Sequence, residues 1–475
     1  MKEYNHVHFV GIGGIGMSGI ARVLLQLGHK VSGSDLRSSR LVQSLQNMGA
    51  VFYLGHDGKN VEGADVVVVS SAVSEDNPEI AAAKSRGIPI KQRAEMLDYL
   101  MKTRYGIAVA GTHGKTTTTS MIAMMLEKCG KNPTVIIGGE LNDIGSNAKL
   151  GRDEYLVAEA DESDASFTSL EPKIAVVTNI DADVNLNVAP FCNLEYDQAK
   201  IREMVVSTFK QFIDKIPDNG KAILCIDSGK IKEILPEINK PYITYGFSRG
   251  ANYSATSVQL KDFQSFCKVK KRGRILGTLH LNVPGKHNIL NALAAIAVGF
   301  ELGLKYKDMK KALGDYIGVK RRFQLWGEYE DIMIVDDYAH NPSKVMAAIE
   351  GARTGWKKRV IAVFQPHRYT RTKFLSEEFK DSFHSADVLI VTDIYSAGET
   401  PIKGVSAEEL ARNVRRNGSG PEVKFIPRKE EIVEYLLGII QPGDLVLTLG
   451  AGDIWTVAEG LAGRLKPPVE EMEAQ

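Results

Sequence analysis

The stretch IAVAGTHGKTTTT, from Ile107 to Thr119, decides the fold of the middle of this chain. An apolar run leads into a turn bounded by Gly111 and Gly114, and a helical pattern begins at Lys115. This order predicts a strand, a phosphate loop and a helix. Glycines let backbone N–H groups turn toward a phosphate, and a new helix presents unpaired N–H groups. The other loop residues expected to contact phosphate are Thr112, His113 and Thr117.

Two side chains at the start of this helix are expected to carry chemistry. Lys115 is predicted to reach the β- and γ-phosphates of a nucleotide, and the Thr116 hydroxyl is predicted to bind Mg²⁺. The common pattern GxxxxGK[ST] would place its first glycine at Val109, so the match is to a shorter GTxGKT form. An ordinary strand-to-helix turn that contains Gly-Lys is the alternative interpretation.

The composition is typical of a globular protein with no strong overall charge. A length of 475 residues predicts three domains, since domains run roughly 100 to 200 residues. The chain has 59 Lys and Arg against 58 Asp and Glu, a formal net charge of +1. No overall field therefore attracts nucleic acid or an acidic membrane, and any anion site must be local.

The cysteines and the hydropathy pattern predict a reducing, aqueous location. No CxxC pair occurs, which argues against a metal–thiolate site and against a disulfide framework. The first residues lack the pattern of a signal peptide, and no run approaches the ~20 apolar residues of a membrane span. We expect a soluble cytoplasmic protein, a monomer or a homodimer. The widely spaced cysteines are Cys129, Cys192, Cys225 and Cys267.

A second nucleotide-binding pattern stands at the N-terminus. The strand Val7–Val10 runs into a GxGxxG turn and a helical pattern, and a second strand ends in Asp35. Together they predict a βαβ unit, in which Asp35 would contact the ribose of NAD; a UDP-sugar or another diphosphate nucleotide could use the same turn. The strand Val66–Val69 adds a third carboxyl end to this edge. The candidate ligand contacts are Gly13, Gly14, Ile15, Gly16, Asp35, Ser70 and Ser71.

Acidic and amide side chains follow the phosphate loop in the middle region. The strand Tyr155–Ala158 ends in an acidic run, and we predict that Glu159 binds the metal of a nucleotide, against the alternative of a solvated turn. Asn288 and Asn291 open a long apolar helix and are expected to bind a base edge, unless one is simply an N-cap. Alternating segments between these sites predict an antiparallel extension: Tyr242–Phe247, Tyr253–Val258, Phe266–Val269 and Thr278–Val283.

Polar clusters follow successive strands of the third region, which begins near Gly318. Such clusters at the carboxyl ends of parallel strands predict one shared cleft edge. His367, Arg368 and Arg371 crowd after one strand and are predicted to clamp an anion, because Arg suits bidentate contacts with carboxylate or phosphate. The predicted strands are Ile332–Val335, Arg359–Phe364, Val388–Val391 and Leu445–Leu449.

Ten motifs over nearly the whole chain resemble those of the bacterial Mur ligase family. In chain order they are GIGGIGMSGIA, SGSD, AGTHGKTTTT, AEADESD, TNIDAD, GKHNILNALAA, VKRRFQ, DDYAHNP, FQPHRYTRT and LGAGDIW. The implied fold is α/β with three domains. These are an N-terminal Rossmann-like domain over residues 1–103, a central P-loop ATPase-like α/β domain with an antiparallel extension over 104–317, and a C-terminal Rossmann-like domain over 318–475.

The resemblance also implies an activity. GIGGIGMSG and PHRYTRT are typical of the members that join UDP-N-acetylmuramate to L-alanine with ATP and Mg²⁺, through an acyl phosphate. A relative that attaches a peptide to the same nucleotide, an NAD-dependent oxidoreductase and a nucleotide-gated binding protein are the alternatives. The implied roles are adenine contacts by Asn288 and Asn291, nucleotide contacts by Arg322 and Asp337, and contacts to alanine by His340, Arg368 and Arg371. Because these groups lie on different domains, the site is expected to assemble on closure.

Two positions depart from the family pattern. Val184 stands where a histidine normally helps to bind a second Mg²⁺, and Asp183 or Asp197 is the candidate replacement. Asn341 stands where alanine-adding members usually have a second histidine, although other ligases of the superfamily carry asparagine there.

Overall fold

The computed structural model describes residues 3–141, 146–161, 165–181, 198–261, 264–355, 359–416 and 420–466. The chain divides into two compact units, one formed by residues 1–259 and 265–319 and the other by residues 320–475 together with 260–264. The first unit holds two sheets of five and ten strands, and the second holds one sheet of six strands. None of the helices in the described ranges is long and apolar enough to span a membrane.

The N-terminal sheet is parallel, in the order β3-β2-β1-β4-β5. Its central strands are continuous apolar runs because both faces of a parallel sheet are covered; all four residues of Val66–Val69 are buried. The strand order reverses between β1 and β4, and open α/β sheets bind ligands beyond the carboxyl ends of the strands at such a point. The elements are β1 (His6–Val10), α1 (Ile15–Gln26), β2 (Lys30–Asp35), α2 (Arg40–Asn47), β3 (Val51–Leu54), β4 (Val66–Val69), α3 (Pro78–Ser85), β5 (Ile90–Gln92) and α4 (Arg93–Lys102).

The central sheet has ten strands in the order β15-β14-β13-β12-β11-β10-β6-β9-β7-β8. The elements are β6 (Tyr105–Ala110), α5 (Lys115–Lys128), β7 (Thr134–Leu141), β8 (Ser146–Lys149), β9 (Tyr155–Glu159), β10 (Ile174–Val177), α6 (Gln198–Asp214), β11 (Lys221–Cys225), α7 (Gly229–Ile234), β12 (Tyr242–Gly246), β13 (Tyr253–Lys261), β14 (Gln264–Lys271), β15 (Arg274–Leu281), α8 (Lys286–Glu301) and α9 (Tyr306–Gly314). Two short 3₁₀ helices lie at Ser166–Ser169 and Leu235–Glu237.

The antiparallel extension is present, but it begins later than the sequence predicted. β12 pairs in parallel with β11 and, through Tyr245 opposite Tyr253, with β13, whereas β14 pairs antiparallel with β15. β7 and β8 also pair antiparallel, at the opposite edge, which was not predicted. Alternation of polar and apolar residues marks strands but carries no information on their direction, which is set by the connections.

The C-terminal sheet has the order β16-β17-β21-β18-β19-β20, parallel except for the edge pair β16 and β17. Its predicted strands Arg359–Phe364 and Val388–Val391 have the predicted bounds. The elements are β16 (Gln324–Tyr329), β17 (Ile332–Asp337), α10 (Pro342–Gly355), β18 (Arg359–Phe364), α11 (Tyr369–Phe374), α12 (Ser376–Phe379), β19 (Val388–Val391), α13 (Ala407–Arg416), β20 (Glu422–Phe425), α14 (Lys429–Ile439), β21 (Asp444–Leu449) and α15 (Trp455–Leu465).

A cluster of three phenylalanine rings in the C-terminal unit leads to a prediction about stability. Phe364 is fully buried and its ring lies 5.3 Å from Phe379 and 5.2 Å from Phe383, between centroids. We expect Phe364→Ala to lower the free energy of unfolding by about 3–5 kcal/mol, since the cavity cannot fully collapse. Urea unfolding measures this, with Phe374→Ala as control because Phe374 is 38% exposed. Equal losses in the two variants would contradict the assignment of Phe364 to the core.

Candidate active site

The phosphate loop of the central domain can be built only with its two glycines. Gly111 has φ +138° and a Cβ there would lie 2.0 Å from the Thr178 hydroxyl. Gly114 has φ +78°, is the N-cap of α5, and a Cβ there would lie 2.8 Å from Asn291 Oδ1. No side chain caps α5, so its first N–H groups face the loop, as an anion site requires.

Side chains beyond β10 hold the loop in shape. The His113 carbonyl accepts hydrogen bonds from the Thr178 hydroxyl at 2.6 Å and from Asn179 Nδ2 at 3.0 Å. The His113 N–H donates to Asn179 Oδ1 at 2.8 Å, and the Asp181 N–H donates to the Thr112 hydroxyl at 2.9 Å. These hydrogen bonds were not predicted from the sequence. The position of Thr178 and Asn179, directly after a strand that lies beside β6, could have indicated them.

Thr116 and Glu159, the predicted metal ligands, lie together. The Thr116 hydroxyl lies 2.9 Å from Glu159 Oε2 and 3.1 Å from Oε1, and the Gly138 N–H donates to Oε2 at 2.8 Å. In the described ranges no group of three or more His, Cys, Asp or Glu side chains could hold a metal ion. A hydroxyl and a carboxylate nevertheless fit Mg²⁺, which typically takes one or two carboxylates and completes its shell with phosphates and water. Lys115 Nζ donates to the Gly111 carbonyl at 2.6 Å, above the same loop.

The residues expected at the second Mg²⁺ position are not among those that the structure describes. Asp183, Val184 and Asp197 lie outside the described residues, as do residues 162–164 of the acidic run. Asp161 is described, and its carboxylate lies 3.7 Å from Arg93. Asn341, at the other departure, is buried and its side chain accepts from the Lys344 N–H at 3.2 Å, which caps α10.

Asn288 and Asn291 are buried beside the phosphate loop. Asn291 Oδ1 accepts from the Thr118 hydroxyl at 3.0 Å, and Asn291 Nδ2 donates to Asn288 Oδ1 at 3.2 Å. Asn288 Nδ2 in turn donates to the Pro284 carbonyl at 2.6 Å. The N-cap of α8 is Gly285, so the N-capping alternative is wrong for both asparagines. Their contact with a base edge stays a prediction.

The N-terminal GxGxxG turn has the geometry of a diphosphate site. Gly14 is the N-cap of α1, and no side chain caps this helix. Gly13 leaves room for the Asp35 carboxylate, because a Cβ there would lie 2.9 Å from Asp35 Oδ2, and the same oxygen accepts from the Gly13 N–H at 2.9 Å. Ile15 is 41% exposed, and a Cβ on Gly16 would meet the Arg93 side chain at 3.1 Å.

Ser70 and Ser71 follow β4 at the same edge. The Ser70 N–H donates to the Val10 carbonyl at 3.3 Å, and a Cβ on Gly11 would lie 3.3 Å from that of Ser70. Ser71 is exposed. The structure therefore brings these serines to the glycine turn, and their contacts with a nucleotide stay predictions.

In the C-terminal unit the predicted anion clamp forms one cluster. His340 and His367 have ring centroids 5.8 Å apart, and Arg371 donates to His367 Nδ1 at 2.9 Å. Arg368 has φ +71°, a left-handed conformation that is costly for a side chain larger than glycine. Its Nε is buried without a hydrogen-bond partner among the described residues. A buried guanidinium N–H of this kind is suited to an anion.

Burial keeps both imidazoles of this cluster neutral. Desolvation, helped by the Arg371 and Arg368 charges, lowers the pKa of His367 to about 4. Desolvation, helped by Lys344 and Arg371, holds the pKa of His340 well below its usual range. His340 Nδ1 lies 2.8 Å from the Tyr338 carbonyl, which can only accept, so Nδ1 carries the proton and Nε2 a lone pair. Desolvation lowers the pKa of Arg371 to about 10, which leaves it charged at neutral pH.

Comparison with known proteins identifies the architecture. Three family models match the chain: "Mur ligase family, catalytic domain" over residues 6–105, "Mur ligase middle domain" over 109–299, and "Mur ligase, glutamate ligase domain" over 321–452. The chain belongs to the Mur ligase family. A crystal structure of the UDP-N-acetylmuramate-alanine ligase MurC of Thermotoga maritima is similar with a TM-score of 0.79 and 28% identity, over 97% of this chain and 98% of that one. The predicted α/β fold of three domains is thereby confirmed.

Two curated relatives are similar to this Mur ligase over nearly its whole length. The UDP-N-acetylmuramate–L-alanine ligase of Geotalea uraniireducens is 51% identical over 97% of this chain and 98% of its own. The enzyme with the same name from Pelotomaculum thermopropionicum is 47% identical over 98% of this chain and 99% of its own. A murein peptide ligase structure from Psychrobacter arcticus, at 24% identity and a TM-score of 0.68, shares the fold.

The two adjacent arginines of the VKRRFQ motif differ in this Mur ligase. Arg321 donates to Asp336 Oδ2 at 2.9 Å and to the carbonyls of Gly452 at 2.8 Å and Gly450 at 2.6 Å. Both guanidinium groups also lie over the Tyr338 ring, at 5.1 Å from its centroid for Arg321 and 5.4 Å for Arg322. Arg321 therefore ties the ends of β17 and β21 together. The sequence could not separate the two residues, because both are arginines in one loop.

Asp337 organises the same loop. Its carboxylate accepts from the Phe323 N–H at 2.7 Å and from the Ala339 N–H at 2.8 Å. Desolvation raises the pKa of Asp337, and the nearby Arg322 charge opposes this rise. Because Arg321 and Phe323 both have positive φ, at 61° and 46°, these bonds stabilise a strained turn. The predicted contacts of Arg322 and Asp337 with the nucleotide stay predictions.

The low pKa of His367 gives a prediction about pH. The folded state keeps His367 neutral down to about pH 4, whereas the unfolded chain protonates it near 6.5, so the unfolded state binds more protons between these values. The free energy of unfolding should therefore fall on acidification from pH 6.5 to 4, and His367→Asn should reduce that slope. Urea unfolding at several pH values measures it, with the exposed His384→Asn as control. A His367→Asn slope equal to that of the wild type would contradict a neutral buried imidazole.

Proposed function

We propose that this Mur ligase joins L-alanine to the carboxyl group of UDP-N-acetylmuramate, with cleavage of ATP to ADP and phosphate. The observation that carries the proposal is the set of relatives named UDP-N-acetylmuramate–L-alanine ligase, about half identical over nearly the whole chain. The phosphate loop and the anion clamp supply the chemistry that such a reaction needs. The product serves the synthesis of peptidoglycan precursors.

Phosphoryl transfer would occur at the phosphate loop of the central domain. A carboxylate is a poor acyl donor, so its oxygen attacks the γ-phosphorus of ATP, the bond between the β-phosphate oxygen and the γ-phosphorus breaks, and an acyl phosphate forms. This step needs positioning and charge neutralisation more than covalent help from the protein. Lys115 and the N–H groups at the start of α5 would perform that task, which the position of Lys115 Nζ at the Gly111 carbonyl and the lack of a side-chain cap on α5 support.

Thr116 and Glu159 would hold Mg²⁺ in this site. Bound there, the ion would neutralise charge on the phosphate oxygens. The Gly138 N–H donates to Glu159 Oε2 and keeps the carboxylate directed at Thr116. The ion and these ligand roles are proposals, which the oxygen donor set supports.

Amide formation would use the cluster of the C-terminal unit. The amine of alanine attacks the acyl carbon, the bond from carbon to the phosphate oxygen breaks, and the amine loses a proton. We assign the carboxylate of alanine to Arg368 and Arg371, since Arg368 Nε is buried without a hydrogen-bond partner among the described residues. His340 Nε2 carries a lone pair that can accept the proton of the amine.

The N-terminal glycine turn would bind the diphosphate of the sugar nucleotide. Ile15 and Gly16 would offer backbone N–H groups at the uncapped start of α1, the arrangement that binds a diphosphate in βαβ units. Gly13 and Gly14 would let the turn approach the diphosphate, since their own N–H groups donate to Asp35 and to the Gly11 carbonyl. We place Asp35, Ser70 and Ser71 around the same ligand. The role of Asp35 includes a structural part, because it already accepts from the Gly13 N–H.

Other expectations stay proposals. They are the domain bounds 1–103, 104–317 and 318–475, a cytoplasmic location, a monomeric or homodimeric state and the assembly of the site on closure. The free thiols of Cys129, Cys225 and Cys267 agree with a reducing compartment, while Cys192 lies outside the described residues.

Phosphate release across a panel of substrates tests the reaction. We expect release from ATP to require both UDP-N-acetylmuramate and L-alanine, with glycine and L-serine as the informative near neighbours of alanine. The tripeptide accepted by recycling ligases should give no turnover. Turnover with the tripeptide but not with alanine would identify a peptide ligase. Tight binding of NADH with no phosphate release would identify an oxidoreductase.

Lys115→Ala tests the phosphate loop. We expect loss of nearly all turnover, about 10²-fold or more, with the fold retained, because no other cation of the loop can reach the γ-phosphate. Lys128→Ala is a matched control at the other end of α5, where Lys128 pairs with Asp315 at 3.1 Å on the surface. Thermal unfolding and kcat are measured for both. Substantial activity in Lys115→Ala would show that the loop does not bind the reacting phosphates.

A further inference from the structure

The hairpin of β7 and β8 joins the two nucleotide sites of the first compact unit. In β8, Asn147 is 1% exposed, and its Nδ2 donates to the Ile15 carbonyl at 2.5 Å and to the Ser18 hydroxyl at 3.0 Å. Both acceptors lie in the first turn of α1, directly after the glycine turn. The direction of the amide is set by chemistry, because the Ile15 carbonyl can only accept.

The surface around Asn147 is packed against α1. A Cβ on Gly19 of α1 would lie 3.3 Å from Asn147 Nδ2, 3.4 Å from Ala148 Cβ and 3.4 Å from Ile136 Cγ2. The helix therefore packs closely against both strands of the hairpin, since a single Cβ at residue 19 would already be in contact with Asn147, Ala148 and Ile136.

The other side of the same hairpin reaches the phosphate site. The Gly138 N–H in β7 donates to Glu159 Oε2 at 2.8 Å, and a Cβ on Gly139 would lie 3.0 Å from Thr116 Cγ2. β7 also pairs in parallel with β9, with Ile136 opposite Ala158. A shift of the hairpin would therefore move the glycine turn and Glu159 relative to each other.

We propose that Asn147 is a positioning residue that sets the distance between the sugar-nucleotide turn and the phosphate loop. This inference rests on the proposed function, in which the carboxylate held by one site must meet the γ-phosphate held by the other. The rate of a reaction depends steeply on how its reacting groups are aligned, and a misplacement of about 1 Å can lower the rate about 10²-fold. Asn147 touches neither substrate and acts through the first turn of α1.

A surface ion pair is the alternative connection between the two sites, and it is weaker than the hydrogen bonds of Asn147. Arg93 and Asp161 lie 3.7 Å apart, with side chains 17% and 45% exposed. Partly exposed pairs at that distance contribute little and are screened by salt. The hydrogen bonds of Asn147 are buried, so they hold their geometry at any ionic strength.

The test compares Asn147→Ala with Thr134→Val. Thr134 lies in the same hairpin and is fully buried, and its hydroxyl accepts from the Gly151 N–H at 3.0 Å, a partner outside α1. Each variant loses buried hydrogen bonding, so each should lower the melting temperature. We expect Asn147→Ala alone to lower kcat, by about 10- to 100-fold, with KM for ATP changed by less than about twofold. Ser18→Ala, which removes one of the two acceptors, should lower kcat in the same direction by less.

Hydrogen exchange separates this inference from the proposed function. In Asn147→Ala the backbone amides at the start of α1 should exchange faster than in the wild type and in Thr134→Val, whatever reaction the protein catalyses. Exchange equal to that of the wild type would overturn the inference, as would an unchanged kcat or an equal loss of kcat in Thr134→Val. If the wild type shows no alanine-dependent phosphate release, the proposed function fails, and the exchange result still decides whether Asn147 holds α1.

Discussion

The His113 carbonyl accepts two hydrogen bonds from the end of β10, and the central site depends on this contact. A phosphate loop directs its N–H groups at the ligand, so it cannot hold its own shape through a regular hydrogen-bond ladder. Thr178 and Asn179 do this from the neighbouring strand, at 2.6 and 3.0 Å. The close approach leaves no room for a Cβ at Gly111, which explains why a glycine follows β6 directly. The neighbours preorganise the loop partly through the Thr112 and His113 N–H groups, which donate to Asn179, while the start of α5 carries no side-chain cap.

The three sheets present different groups that suit an anion. The first two use helix N-termini behind glycine turns, where partial positive charge is fixed in the backbone. The C-terminal cluster uses guanidinium groups, and there the neutral imidazoles matter. If His340 and His367 were protonated, two more buried positive charges would stand beside Arg368 and Arg371. Burial and the arginine charges both oppose that state, so the cluster keeps two cations together with two proton acceptors.

The sequence predicted elements whose pattern is local, and it failed where the partner is distant. Strands such as Val66–Val69 are continuous apolar runs, and their bounds were predicted correctly. Thr116 and Glu159 were predicted to meet because each follows from a motif at the end of a parallel strand. The β7–β8 hairpin was missed, since its glycine-rich sequence has no clear alternation. Asn147 could not be recognised, because its partner Ile15 lies 132 positions away in the sequence.

Contacts that are distant in the sequence also hold the strained backbone conformations of the C-terminal unit. Arg321, Phe323 and Arg368 all have positive φ, which costs of order 1–3 kcal/mol at each non-glycine residue and persists only where the surroundings fix it. Arg321 is fixed by Asp336 and two backbone carbonyls, and Phe323 by Asp337. The Arg368 N–H donates to the Tyr395 carbonyl at 2.8 Å. Glycine would relieve the strain at Arg321 and Arg368, but it would also remove the Arg321 guanidinium that ties β17 to β21 and the Arg368 guanidinium of the predicted anion clamp. At these two arginines the unfavourable backbone is therefore the cost of placing a charged side chain where a strand ends.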